Sequence, residues 1–195
     1  MKSRYLTENE VETLRVSMGR RQWLPLQVAR ETGLRIEDVL ELRPEQIEGR
    51  ELRYVARKTG KAGTAKLSAA TASALKQSAR GGWCFPSPIL SGQHLTRQAV
   101  WAGMKRAAKR SGVDLRGCSP HSLRKVYGVD VYTKQGLEAA RQALQHERPD
   151  VTRLYTLSDW TTGENADRPL TRGDLQILLA KIQDEISEMV KKSDK

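Results

Sequence analysis

The chain has 195 residues, enough for one sizeable core or one core with appendages. Its 38% hydrophobic and 29% charged content describes a soluble globular protein with neither an apolar run near the roughly 20 residues that span a bilayer nor an N-terminal secretory signal, so the expected location is the cytoplasm. The net charge is +11; Thr171–Lys195 holds five basic and five acidic residues, so the whole excess lies in residues 1–170 and points to a polyanion, nucleic acid first.

In chain order, YLTENEVETLR reads as a helix start with Thr7 as N-cap and Glu10 closing a capping box. Trp23 to Leu42 carries helical apolar spacing broken at Gly33, which predicts two helices meeting at TGLR. ELRYVARKTGKAGTAKLS predicts a β-hairpin: Leu52, Tyr54 and Val55 in one arm, a turn around Thr59 to Gly63, Ala65 to Leu67 in the other. A helix is expected over about Ala69–Arg80, followed by the irregular GGWCFPSPILSGQ. Thr96 caps RQAVWAGMKRAAKRSG, which stops on Gly112. Ser119 and Pro120 suit the N-cap and first position of the helix holding HSLR.

GLEAARQALQHE is a further helix ended by Pro149, and Asp150 can cap a short one holding Tyr155. Residues 158–170 read as a polar linker, and 171–195 as an amphipathic helix striped by Leu175, Leu178, Leu179, Ile182, Ile186, Met189 and Val190. The expected fold class is therefore α+β and mainly α-helical, with a small antiparallel sheet and a separable C-terminal helix. Aromatics at 5% disfavour a stacking platform for single strands and favour contact with a duplex backbone. Cys84 and Cys118 stand apart from each other and from any histidine at ligand spacing, so they are expected to be structural thiols, with neither a metal site nor a cofactor.

Four segments stand in order: TGLRIEDVLELR with Arg35, RKTGKAG with Lys58 and Lys61, HSLR with His121 and Arg124, and LQHERPDVTRLY with His146 and Tyr155. Each is weak alone. Together, with the FPS loop at Phe85–Ser87 and LTRQAVWAGMKRAAKRSGV, the pattern from about Tyr5 to Tyr155 resembles the tyrosine recombinase (phage integrase) family. The resemblance implies that fold, with residues 1–157 as the catalytic domain, and a site-specific DNA recombinase of the integrase or invertase type. It implies duplex DNA as partner, with Lys61, Lys66, Arg97 and Lys125 as further DNA contacts, a tetramer on two sites, accessory DNA-bending proteins, and no membrane. The host would be a bacterium or phage.

The chemistry implied needs those residue types. Attack of a tyrosine on a phosphodiester builds negative charge on the non-bridging oxygens, and two arginines, Arg35 and Arg124, can grip them with rigid, permanently charged forks. His121, one turn before Arg124, faces the same side and could donate to the phosphate or help deprotonate the nucleophile. By resemblance Lys58, or alternatively Lys61, protonates the leaving 5′ oxygen. His146 would hydrogen-bond the phosphate, and Tyr155 would form the 3′-phosphotyrosyl bond without metal or ATP. Asp38 matches an acidic family position that orients its neighbours.

Most family members carry an N-terminal core-binding domain of about a hundred residues. YLTENE begins at residue 5, so the chain resembles the short, catalytic-domain-only members such as fimbrial phase-switch invertases, or a fragment of a longer integrase. The C-terminal helix would pack in trans on a neighbour or in cis. Within the same chemistry stand a type IB topoisomerase and a hairpin telomere resolvase; the competing class is a non-catalytic DNA-binding or regulatory protein that keeps the fold.

Overall fold

The computed structural model describes residues 6–144. The order is α1 (Glu8–Ser17), α2 (Arg20–Thr32), α3 (Ile36–Leu40), a 3-10 turn (Pro44–Gln46), β1 (Ile47–Glu48), β2 (Glu51–Val55), β3 (Ala62–Lys66), α4 (Ala69–Ser78), α5 (Arg97–Ser111), α6 (His121–Gln135) and α7 (Leu137–Ala143). This is the expected α+β class, mainly helical around one antiparallel sheet of order β1-β2-β3. None of these helices is long and apolar enough to cross a membrane.

Local chemistry sets most helix ends. Thr7 and Glu10 form the reciprocal capping box, Thr7 N–H donating to the Glu10 carboxylate at 2.8 Å and Glu10 N–H to Thr7 Oγ1 at 3.2 Å. Ser68 caps α4 and Thr96 caps α5, each accepting the N–H three residues on. Gly33 and Gly112 close α2 and α5 in the left-handed region, which glycine enters without the Cβ penalty. Helix α4 stops at Ser78, two residues short of the expected Arg80. Helix α6 starts at His121: Ser119 Oγ accepts the His121 N–H at 3.2 Å, so Ser119–Pro120 form a turn leading into it.

The hairpin exists, but its turn lies earlier in the chain. Val55 pairs with Ala62, and the Ala56 N–H donates to the Lys61 carbonyl at 2.9 Å, so the turn runs from 56 to 61 with Gly60 at φ +66°. Gly63 belongs to β3 opposite Tyr54; a Cβ there would sit 2.8 Å from the Tyr54 ring, so this glycine provides room. The short β1, which pairs Ile47 with Leu52, has no sequence signal of its own.

The chain divides into two compact units, 1–128 and 129–195. In the first, α5 packs against α1, α2 and α3, and α2 against α4. Leu14, Leu26, Val39, Leu52, Leu75, Met104 and Leu123 fill one continuous core. Glu31 ties α2 to the start of α4, accepting from Ser68 N–H at 3.0 Å, Ser68 Oγ at 2.9 Å and Thr71 Oγ1 at 2.8 Å. Cys84 and Cys118 are buried thiols in the same core.

Between α4 and α5 the Gly/Pro-rich segment is closed at its base by paired residues Pro86 and His94. The Arg43 guanidinium lies 3.8 Å from the Trp83 ring centroid, His94 meets Trp83 edge-on at 4.9 Å, and Trp83 Nε1 donates to the Gly92 carbonyl at 3.0 Å. The described part of the second unit is the end of α6 and α7, with Ala140 and Leu144 buried. His146, Tyr155, the end of the GLEAARQALQHE helix, the linker at 158–170 and the helix at 171–195 lie outside the described residues.

Candidate active site

Arg35 occupies the N-cap of α3 in extended backbone, two residues after the left-handed Gly33, and is half-buried. His121 and Arg124 come from the first turn of α6. Arg124 is 5% exposed and donates through Nη1 to the carbonyl of Gly33. The turn that ends α2 and positions Arg35 therefore also anchors the guanidinium of Arg124. Tyr127, one turn further along α6, lays its ring against Gly33, where any Cβ would overlap it.

Asp38, buried in α3, links this centre to the hairpin. Its Oδ1 accepts the backbone N–H of Arg57 at 3.1 Å, and the Arg57 side chain reaches Glu41 at 2.7 Å. Lys58 follows on the turn and Lys61 closes it, both exposed. Asp38 Oδ2 is buried without a hydrogen-bond partner among the described residues. Burial pushes the Asp38 carboxyl above its ordinary value; the Arg57 N–H and the charges of Arg35 and Arg124 pull the other way without overcoming it.

His121 is driven in the opposite protonation sense. Burial first, then the positive charges of Arg124, Lys125 and Arg35, lower its pKa to about 4, so the imidazole is neutral at pH 7. A neutral ring between cations can accept a proton or donate one N–H. Burial likewise raises the pKa of the Tyr127 phenol, with Tyr54 adding to the shift and Arg124 opposing it.

The first unit thus brings together Arg35, His121 and Arg124, with the Lys58 turn tied to the same helix through Asp38. Lys66 is exposed at the end of β3, and Arg97 is exposed at the start of α5, paired with Glu37 of α3 at 3.0 Å. Lys125 differs from expectation: at 5% exposure it is buried within the run Ser122–Val126 that opens α6, and an exposed phosphate contact does not suit it. His146 and Tyr155 lie outside the described residues. Sequence reasoning missed Gly33 as an acceptor, Tyr127 as its packing partner, and Arg57 as the backbone donor beside Lys58. The signal for Gly33 was the helix stop before Arg35; for the other two there was none. Among the described residues no three His, Cys, Asp or Glu side chains converge as metal ligands.

The sequence model described as the phage integrase family matches residues 4–161. Tyrosine recombinase XerD of Rhizobium meliloti (strain 1021) is 34% identical over 82 residues, 42% of this chain and 26% of that protein. The lambda integrase (residues 75-356) bound to DNA superposes with a TM-score of 0.69 at 19% identity, over 87% of this chain and 65% of that one. The catalytic domain of bacteriophage HP1 integrase does so with a TM-score of 0.59 at 17% identity, over 87% of this chain and 100% of that domain. At these identities the structural likeness is one of fold. The stretch that matches the curated relative spans about a quarter of its length.

Proposed function

The chain belongs to the phage integrase family, and from that premise we propose that it is a site-specific DNA recombinase that cuts and rejoins duplex strands through Tyr155. The observation that carries the reading is the gathering of Arg35, His121 and Arg124 around the Gly33 turn, with a lysine-bearing hairpin tied to the same helix by Asp38.

In the proposed step the Tyr155 oxygen attacks phosphorus and gives up its proton, and the phosphorus–5′-oxygen bond breaks. Arg35 and Arg124 neutralise the charge that builds on the non-bridging oxygens, the type of preorganised contact whose loss costs about 10²–10³ in rate. Arg124 suits this because its Nη1 donates to the Gly33 carbonyl, which anchors the planar guanidinium at the turn that carries Arg35. Neutral His121 is available to accept the tyrosyl proton or to donate to the phosphate. Lys58 delivers a proton to the departing 5′ oxygen, with Lys61 as the alternative donor on the same turn. The 3′-phosphotyrosyl bond retains the ester's energy, so a 5′-hydroxyl reseals it without ATP.

On this reading the partner is duplex DNA, the working assembly is a tetramer on two sites, and the setting is the bacterial cytoplasm. Lys61, Lys66 and Arg97 would meet the DNA backbone. The test is covalent trapping. The chain is incubated with nicked duplex from the region flanking its gene, with EDTA and without ATP, and the reaction is stopped in SDS. The expected result is a protein–DNA adduct that is absent from Tyr155→Phe. An adduct of equal yield in that variant overturns the assignment, and DNA binding that never yields an adduct favours a non-catalytic DNA-binding protein.

A further inference from the structure

Helix α5 has one end at the candidate active site and the other far from it. At its start Arg97 pairs with Glu37 of α3; at its finish Arg110 donates to the carbonyl of Ser17, the last residue of α1. The thirteen residue steps from one to the other span about 20 Å at 1.5 Å per residue. Helix α5 contains five basic residues and no acidic one. Four of the five, Lys105, Arg106, Lys109 and Arg110, lie exposed in its distal half.

The start of α2 adds to the same surface. Gly103 of α5 faces Gln22 and Met18, with a Cβ there meeting them at 3.5 and 3.6 Å. Arg106 and Arg110 follow at three and seven positions along the same stripe. Arg20 and Arg21, which immediately precede Gln22 in the chain, are exposed at the start of α2. Arg20, Arg21, Arg106 and Lys109 make no ion pair with a carboxylate among the described residues. The neighbouring acids are engaged elsewhere: Glu12 with Arg15, Glu8 with Arg30, and Asp114 with Arg116.

Arg20 and Arg21 also oppose local stability. They occupy the first turn of α2, which has no acidic residue there and no side-chain cap from Gly19. Cations at that end face the positive pole of the helix dipole. Lys109 and Arg110 sit at the favourable pole of α5, but Arg20, Arg21 and Arg106 have no such local reason. A field of like charge that destabilises its own helix is what a surface for a polyanion requires.

We propose that this distal basic surface, centred on Arg20, Arg21, Arg106 and Lys109, binds the backbone of a second DNA duplex, separate from the one at the candidate active site. The proposal rests on duplex DNA being the partner in the reading above and on nothing in the Tyr155 chemistry. The contact is to phosphates and independent of sequence. It allows one chain to hold two segments at once, about 20 Å apart along α5.

The test is capture of one duplex by another through the full-length chain. A biotinylated duplex is immobilised, the protein is bound, and uptake of a fluorescent duplex of unrelated sequence is measured against salt. Wild-type chain is expected to capture the second duplex. The variant Arg20→Gln/Arg21→Gln/Arg106→Gln/Lys109→Gln is expected to capture it at least about tenfold less, with a log–log salt slope shallower by up to about 3.6 for four lost phosphate contacts. The same variant should form the Tyr155 adduct on a single short duplex as wild type does. Arg20→Lys/Arg21→Lys/Arg106→Lys should retain capture. The Gln variant should also melt at the same or a higher temperature, which separates lost binding from lost folding. Capture undiminished in the Gln variant assigns bridging to self-association or to the active-site surface and overturns the proposal. So does wild-type chain that binds the first duplex and never the second. Wild-type chain that captures the second duplex but forms no Tyr155 adduct would overturn the recombinase reading and leave this one standing.

Discussion

The guanidinium of Arg124 on α6 donates to the carbonyl of Gly33, the residue that ends α2 two positions before Arg35. One backbone turn therefore serves both candidate phosphate grips, and its geometry rests on a residue with φ +69° and the ring of Tyr127 packed where a Cβ would be.

Gly33→Ala is accordingly expected to be severe. Left-handed backbone costs a non-glycine residue roughly 1–2 kcal/mol, and overpacking against Tyr127 adds roughly 1–3 kcal/mol. Urea denaturation should show a loss of about 2–5 kcal/mol in total. Tyr127→Ala in the same chain should recover part of that loss by removing the clash, and should leave the backbone component. Full additivity of the two substitutions would argue that the ring and the turn are not in contact.

Asp38→Ala and Asp38→Asn should separate. Alanine leaves the Arg57 N–H without its acceptor, which costs about 1–3 kcal/mol if the group stays buried, and it releases the Lys58 turn from α3. Adduct formation should fall more than duplex binding does. Asparagine retains an acceptor and removes a carboxylate that burial disfavours, so its melting temperature should match or exceed that of wild type. The carboxyl's folded pKa is raised, so its contribution to stability falls as pH rises from the ordinary carboxylate range through the folded value; Asp38→Asn should flatten that part of the curve.

His121 gives a pH dependence of the opposite slope. Its folded pKa of about 4 lies below the ordinary value of 6.5, so the unfolded chain binds the extra proton more readily between them. Stability attributable to this group is complete above about pH 6.5 and is lost as pH falls toward 4. Melting temperatures of wild type and His121→Gln should converge in slope above pH 7 and diverge between 6.5 and 4, with wild type the steeper. Parallel curves across that window would mean that the imidazole is not held neutral by its surroundings.

Lys58 and Lys61 are distinguished by the leaving group. If Lys58 supplies the proton, Lys58→Ala should slow adduct formation by about 10²–10⁴-fold, while Lys61→Ala should mainly weaken binding. A duplex with sulfur in place of the bridging 5′ oxygen needs no proton donor, because a thiolate departs readily at neutral pH. That substrate should restore the Lys58→Ala rate and leave a Lys61→Ala binding defect unrepaired. Rescue of Lys61→Ala in place of Lys58→Ala would exchange their roles.

Elements whose signals are local were legible in the sequence. The Thr7–Glu10 box, the Thr96 start and Gly112 stop of α5, and the break at Gly33 each depend on residues within one turn of one another. The hairpin register was not, because Gly60 and Gly63 look alike in sequence: one supplies positive φ and the other supplies room for Tyr54. Strand β1 is two residues held by its partner, and pairing of that kind is a property of the tertiary structure. In the site, charge type and order were readable for Arg35, His121 and Arg124. The burial of Lys125, adjacent to Arg124, belongs to a run of buried residues from Ser122 to Val126 that follows no amphipathic period, so the HSLRK motif does not specify it.

The segment between α4 and α5 is pinched where Pro86 pairs with His94, and the Arg43–Trp83–His94 stack clamps the chain just outside that neck. Whatever lies between the two is thermodynamically insulated from the core, since lengthening a loop already closed at its base adds only about 0.6 kcal/mol per doubling. Residues 88–91, with Ile89 and Leu90 exposed at the tip, therefore form a natural insertion point, where a fluorophore or an epitope can be carried as cargo without altering the fold that surrounds Arg124.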